Sequence, residues 1–187
     1  MQKIILDDSL LINTGTNRAC YIHPESKDMC IKIDISQNTK ETKRELRYYR
    51  FLTNKNIFYK MISKYYGSID TNLGRGEMFE LIRDYNGDVS QELDKYLKMP
   101  LQEQEKQYIK KLLDEFKEYI FENKIYIKDL NSVNVAYQRL DKNSARLVVI
   151  DGLAHSWYIH LFCQFSDAFL KKKITQSWTK FLSTIKL

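Results

Sequence analysis

Apolar and polar positions alternate through the first third of the chain and later recur every three or four residues, which predicts strands first and helices after. Leu10 to Asn13 reads as a strand running into Thr14-Gly-Thr-Asn17, and Ala19 to His23 follows as its neighbour. Turn chemistry at Pro24 to Asp28 precedes a third strand, Met29 to Asp34. From Thr39 to Thr53 the spacing becomes helical: Leu46, Tyr49 and Leu52 or Thr53 share one face, and charged residues fill the other. A second hairpin is predicted from Lys64 to Ile82, turning through Thr71 to Gly76, where Gly74 and Gly76 can both take positive φ. Arg83 to Asp88 is short, polar and glycine-containing, and is the expected connector between two halves.

The second half reads mainly as helix. Asp88 with Gln91 matches a capping box that opens a short helix to Lys98. Pro100 suits the first turn of a helix over Leu101 to Glu122, whose Ile109, Leu112, Leu113, Phe116, Tyr119 and Ile120 form one apolar stripe. A short hairpin then turns at Asp141 to Ser144 and returns as an apolar strand ending in Asp151-Gly152. Helix is predicted again from about Ser156, with Trp157, Leu161, Phe165, Ala168 and Phe169 on one side. A last amphipathic segment carries Trp178, Phe181 and Ile185. The fold class expected is α+β.

Composition narrows the class. With 187 residues, 43% hydrophobic and 29% charged, the chain suits one soluble globular domain or two small lobes sharing a core. A net charge of +6 favours anionic partners such as nucleotides, acidic polymers or anionic membrane surfaces. After Asp167 there are five lysines and no acid, and Lys171, Lys172 and Lys173 could give a weak anionic surface contact or simply a solvated helix face. Three cysteines without a C-x-x-C arrangement argue against a disulfide framework or structural zinc and fit a reducing cytoplasm. The N-terminus meets acids before an apolar signal region forms, and no apolar run approaches the ~20 residues that cross a bilayer. A cytoplasmic protein without a transmembrane segment is expected, and no DNA partner.

The chemistry concentrates between Ile125 and Gly152. Asp129 and Asn134 lie five residues apart in one loop, and Asp151 ends the strand that follows, as a kinase-type fold assembles a catalytic base and two Mg²⁺ ligands. Asp129 would orient an acceptor hydroxyl and take its proton, and Lys128 would neutralise the transferred group. Asn134 and Asp151 would hold the metal, a hard cation that prefers oxygen ligands. Upstream, Lys32 sits among apolar neighbours, where an ammonium needs a nearby anion. It would hold ATP phosphates and pair with an acid on the next helix, Glu45 by position or Glu41 one turn earlier. Between the first two strands, the backbone around Gly15 could approach phosphate oxygens and Arg18 could add charge, or the segment could be a plain β-turn. His23, His155 and His160 are scattered, and Cys163 on an apolar helix face reads as packing.

These blocks together resemble the YrbL-type, PhoP-regulatory-network protein family, a small bacterial branch of the protein-kinase-like fold. The resemblance rests on Gly15-x-x-Arg-x-Cys-Tyr-x-His-Pro24, Cys30-Ile-Lys-Ile33, Arg44-Glu-Leu-Arg-Tyr-Tyr49 and Gly74-x-Gly76. It continues through Leu81-Ile-Arg-Asp-x-x-Gly87, Glu122-Asn-Lys-Ile125, Leu130-Asn-x-x-Asn134 and Val149-Ile-Asp-Gly152. It implies a bilobal kinase-like fold, with an antiparallel β-sheet lobe at residues 1–83 and a reduced, mainly helical lobe at 84–187. Nucleotide would lie between the lobes against backbone at Glu80 to Ile82, with Lys32 and Glu45 paired above it. Ile127 and Lys128 replace the histidine and arginine that precede the catalytic Asp in protein kinases, and Gly152 directly follows Asp151 where those kinases carry phenylalanine. About 35 residues follow, so a small-molecule or glycan acceptor is expected over a peptide. The reading is therefore an ATP- and Mg²⁺-dependent phosphotransferase of unknown acceptor. The alternative is a catalytically inactive regulatory or nucleotide-binding module, and a third reading is a nucleic-acid or anionic-membrane binder using the lysine-rich C-terminus with Trp178 and Phe181.

Overall fold

The computed structural model describes residues 3–36, 39–55, 57, 59–153 and 166–187. Its first element group is a five-stranded antiparallel sheet in the order β1-β2-β3-β5-β4. The strands are β1 (Leu11–Thr14), β2 (Arg18–His23), β3 (Ser26–Asp34), β4 (Tyr65–Thr71) and β5 (Gly74–Glu80). The two hairpins are where the alternation places them, with tighter turns: His23 already pairs with Ser26 and Thr71 with Gly74. Gly74 has φ +112 in the β4–β5 turn, as expected. Gly76 does not. It lies inside β5 opposite Ile33 and Ile69, and a Cβ there would fall 2.4 Å from Ile31 Cγ2, so close packing rather than a turn requires the glycine.

Helix α1 (Lys40–Asn54) packs against the sheet and buries Tyr48, Tyr49 and Leu52, leaving Leu46 half-buried. The Tyr49 ring packs at 5.4 Å from Phe79 of β5, and Tyr48 Oη accepts the Tyr126 N–H at 3.0 Å, tying α1 to the second half. A second, three-stranded antiparallel sheet comprises β6 (Gln91–Glu92), β7 (Val135–Arg139) and β8 (Ala145–Val149). The Asp88–Gln91 capping box is not formed. Gln91 and Glu92 pair with Tyr137 and Ala136 instead, and Asp88 closes a turn with Asp84 and Asn86. Their backbone groups are committed to the sheet, so α2 begins only at Leu93 and runs to Leu97.

Helix α3 (Glu103–Glu122) starts two residues later than the pattern suggests, with the Gln102 N–H donating to Glu105 Oε2, and buries all six residues of its predicted stripe. The C-terminal helix (Asp167–Thr184) is capped by Ser166 Oγ, which accepts from Phe169 N. It buries Leu170, Ile174, Trp178 and Phe181; Ala168 is exposed and Phe169 half-buried, one position off the expected face. Lys171 and Lys172 are exposed on it, while Lys173 lies over the Phe169 ring. Trp157, Leu161, Phe165, His155, His160 and Cys163 lie outside the described residues. Trp178 packs tilted and Phe181 edge-on against Phe116, and Ser177 Oγ donates to the Ile127 carbonyl at 2.6 Å. One hydrophobic core thus runs from Tyr49 and Phe79 through α3 to Phe181 and underlies both sheets. No helix among the described residues is long and apolar enough to cross a membrane.

Candidate functional site

A cleft of about 1040 Å³ opens between the two sheets, lined among others by Ile12, Lys32, Ile82, Asp129, Asn134 and Asp151. Strand β3 is interior to its sheet, so Lys32 is buried, and its Nζ turns into the cleft 4.6 Å from the Phe79 ring centroid. It donates to the Ile150 carbonyl at 2.7 Å and approaches Asp151 Oδ2 at 3.5 Å. Burial alone would push Lys32 down, but Asp151 and Glu45 outweigh it and hold the ammonium above its ordinary value.

The expected Lys32–Glu45 pair is not what forms. Glu45, 1% exposed on α1, accepts at Oε2 from Arg18 Nη1, and Arg18 Nη2 donates to Asp151 Oδ1 at 2.6 Å. The guanidinium wins because its planar fork can serve two carboxylates at once, which an ammonium on one stem does less well. Glu41, the rival acid, pairs with Arg44 at 2.9 Å and Lys128 at 3.6 Å. Burial works against the Arg18 charge, yet Glu45 and Asp151 raise its pKa further. Of the two readings of the backbone around Gly15, the plain turn is the one that forms. The Gly15 N–H donates to the Arg18 carbonyl at 2.8 Å, closing a tight turn between β1 and β2 that still lines the cleft.

Opposite Lys32, the loop after Ile127 brings its polar residues together. Asn134 Nδ2 donates to the Asp129 carbonyl at 2.8 Å and to Asp129 Oδ2 at 3.2 Å, which aims Asn134 Oδ1 away from Asp129. Asn131 Oδ1 supports the short 3-10 turn Ser132–Asn134 by accepting from Val133 N and Asn134 N. Strand β8 then returns beside it: Ile150 N donates to the Asn134 carbonyl and Asp129 N to the Gly152 carbonyl. Gly152 has φ +88, and a Cβ there would lie 2.5 Å from the Asp129 carbonyl oxygen and 2.9 Å from Asn134 Nδ2. Only glycine lets the Asp151 turn come this close to the Asp129 loop. Glu80 and Ile82 also line the cleft, where Glu80 N donates to the Lys64 carbonyl and Ser90 N to the Ile82 carbonyl.

Among the described residues no three His, Cys, Asp or Glu side chains converge as a metal site. A divalent ion here would rest on Asp151, Asn134 Oδ1 and oxygens from ligand or water, a sparse donor set of the kind Mg²⁺ accepts. Glu45 Oε1 is buried with no hydrogen-bond partner among the described residues, so a donor brought near it would find an acceptor ready.

The Asp151 carboxyl is pushed up by burial, but Lys32 and Arg18 outweigh this, with the Gly152 N–H, and hold it well below the usual carboxylate range. A depressed folded pKa contributes stability that is complete above the unfolded value of ~3.9 and is lost as pH falls below it. Glu45 has the opposite sign, since burial raises it despite Arg18 and Lys32. In Asp151→Asn that position no longer titrates. The difference in Tm between wild type and variant is therefore expected to narrow as pH falls from about 6 to about 3; a difference constant across that range would remove Asp151 as an ionised partner.

Of the residues singled out in the sequence, Gly15, Arg18, Lys32, Glu80, Ile82, Lys128, Asp129, Asn134 and Asp151 all line the cleft, and Glu45 reaches it through Arg18. Three contributors were missed: Phe79 beneath the ammonium, the Ile150 carbonyl, and Arg18 as the link between Glu45 and Asp151. Alternation held a signal for the last, because Arg18 lies two residues from Cys20, which pairs with Lys32.

Residues 4–186 match the family described as PhoP regulatory network protein YrbL. The chain is 29% identical over 183 residues to the uncharacterized protein YrbL of Escherichia coli (strain K12), an alignment covering 96% of this chain and 87% of that relative. The uncharacterized protein YrbL of Shigella flexneri matches to the same extent. With nearly every element of the fold and the whole cleft inside the matched span, this chain belongs to the PhoP regulatory network protein YrbL family.

Proposed function

We propose that the cleft binds ATP with Mg²⁺ and that the chain is a kinase-like phosphotransferase, its two lobes at residues 1–83 and 84–187 meeting at the cleft. The observation that carries this reading is the convergence of Lys32, Asp129, Asn134 and Asp151, far apart in the chain, on one cleft. Lys32 offers a charged donor to phosphate oxygens, and its buried stem fixes where that donor points. Asp129, exposed at the outer end, would accept the proton of an acceptor hydroxyl, with Asn134 Nδ2 fixing the carboxylate's orientation. Lys128 beside it would balance charge on the transferred group. Mg²⁺, when bound, would neutralise the phosphate charge next to Asp151 and Asn134. The acceptor suited to the reading is a small molecule or a glycan.

Arg18 favours a second reading. It occupies Asp151 Oδ1 at 2.6 Å, one of the two carboxylate oxygens on which a metal would rest, so a module that binds nucleotide without transferring phosphate has support in the same site. Thermal unfolding with ATP and Mg²⁺, followed by phosphate release, separates the two. Saturating nucleotide at about 100 times its Kd is expected to add about 2.7 kcal/mol to stability. Stabilisation with phosphate release supports transfer, and stabilisation without it supports the binding module. No change in Tm at millimolar nucleotide removes ATP from the cleft altogether.

A further inference from the structure

Two of the three cysteines face the same cleft and take no part in the reading above. Cys20 on β2 pairs with Lys32, and Cys30 on β3 pairs with Ile22. With a side-chain period of two, both thiols therefore project from one face of the sheet on the diagonal between neighbouring strands. Both line the cleft; Cys30 is buried and Cys20 half-buried. The mutual influence of the two neighbouring thiols lowers Cys20 and, with burial, raises Cys30 well above the ordinary thiol value. Lys32 and Arg18 add positive charge beside Cys20. One thiol is thus disposed to ionise and attack, the other to stay protonated beside it.

We propose that Cys20 and Cys30 form an oxidisable dithiol in the cleft wall, a site of reversible modification by peroxides. The Cys20 thiolate attacks one oxygen of the peroxide, the O–O bond breaks, and the departing hydroxide takes up a proton as water, leaving a sulfenic acid. The Cys30 sulfur then attacks the Cys20 sulfur, the S–OH bond breaks, the thiol proton leaves with the hydroxyl as a second water, and a disulfide remains. Two thiols lose two electrons in all, and one hydrogen peroxide becomes two waters. Diagonal neighbours lie about 7–8 Å apart at Cα, beyond the usual span of about 4.4–6.8 Å for a bridge. Closing it requires β2 and β3 to draw together, next to the register shift between Ile22 and His23. The product is a strained disulfide that reductants open readily, as labile bridges are. This proposal does not rest on nucleotide binding.

The test uses the full chain carrying Cys163→Ser, exposed to hydrogen peroxide and read by intact mass and by thiol titration after denaturation. The expected result is a loss of about 2 Da and both remaining thiols, reversed by dithiothreitol. With Cys30→Ser added, Cys20 is expected to stop at the sulfenic acid and be captured by dimedone; with Cys20→Ser added, no sulfenic acid forms. Persistence of both thiols under peroxide, or gain of oxygen without the loss of two hydrogens, overturns the proposal. Should the serine variants fail to fold, peptide mapping of the peroxide-treated wild type decides. A Cys20–Cys30 cross-link sustains the dithiol, and a link through Cys163 or none overturns it.

Discussion

Replacing Arg18 with methionine is expected to lower the unfolding free energy by about 3 kcal/mol. Glu45 is 1% exposed and accepts from Arg18 at one oxygen, while its other oxygen has no partner among the described residues. Methionine matches the length of the arginine stem but leaves the carboxylate inside the protein without its cation. Removing one member of a buried pair costs about 3–5 kcal/mol, because the remaining charge keeps its desolvation penalty and loses its compensation. The low end applies because Lys32 already interacts electrostatically with Glu45 and offsets part of the loss. Denaturant unfolding of the single variant and of Arg18→Met with Glu45→Leu forms the check. The double variant is expected to recover most of the stability, since the unpaired charge is then gone. Equal losses in both would show that Arg18 acts through packing of its stem and not through Glu45. The same substitution removes one of the two donors on Asp151 Oδ1 and leaves the Gly152 N–H, so on the proposed reading Mg²⁺-dependent nucleotide binding is expected to strengthen while stability falls, two readouts moving in opposite directions.

Asp129→Ala is expected to reduce phosphoryl transfer by at least about 100-fold, the size seen when one preorganised group is removed from an active site. Asp129 is exposed and its carboxylate meets Asn134 Nδ2 at 3.2 Å, so little stability depends on it, and a change within about 0.5 kcal/mol is expected. Asn134 keeps its shorter bond to the Asp129 carbonyl, which holds the Asn134 side chain in place. Loss should therefore appear in kcat, with nucleotide affinity little changed. The measurement is phosphate transfer from ATP to a panel of sugars and amino alcohols, beside the Tm of both proteins. Equal turnover in wild type and variant would take Asp129 out of the mechanism. Loss of nucleotide binding would give it a structural role instead.

The strand and helix order could be read from the chain because the signals involved are local. The alternation through β2 and β3, the stripe on α3 and the turn at Asp141 each depend on neighbours within a few residues. The misses share a cause. The capping box at Asp88 and Gln91 has the right spacing, yet Gln91 is claimed by β7 more than forty residues away. Gly76 fits a turn by type but is a packing contact with Ile31 across the sheet. The pairing of Lys32 with Glu45 followed from charge and order alone, and a third residue from β2 stood between them.

What the sequence alone determined is the roster: an α+β chain carrying Lys32, Asp129, Asn134 and Asp151 on strand and loop positions, within the YrbL family. Only the tertiary structure decided who meets whom. It set Arg18 between Glu45 and Asp151, turned Lys32 to the Ile150 carbonyl, and laid Cys20 beside Cys30. The physical reason is that periodicity and turn chemistry are set by the nearest peptide units. Partners across 27 or 133 residues are instead chosen by competition among all the charges that packing brings within reach.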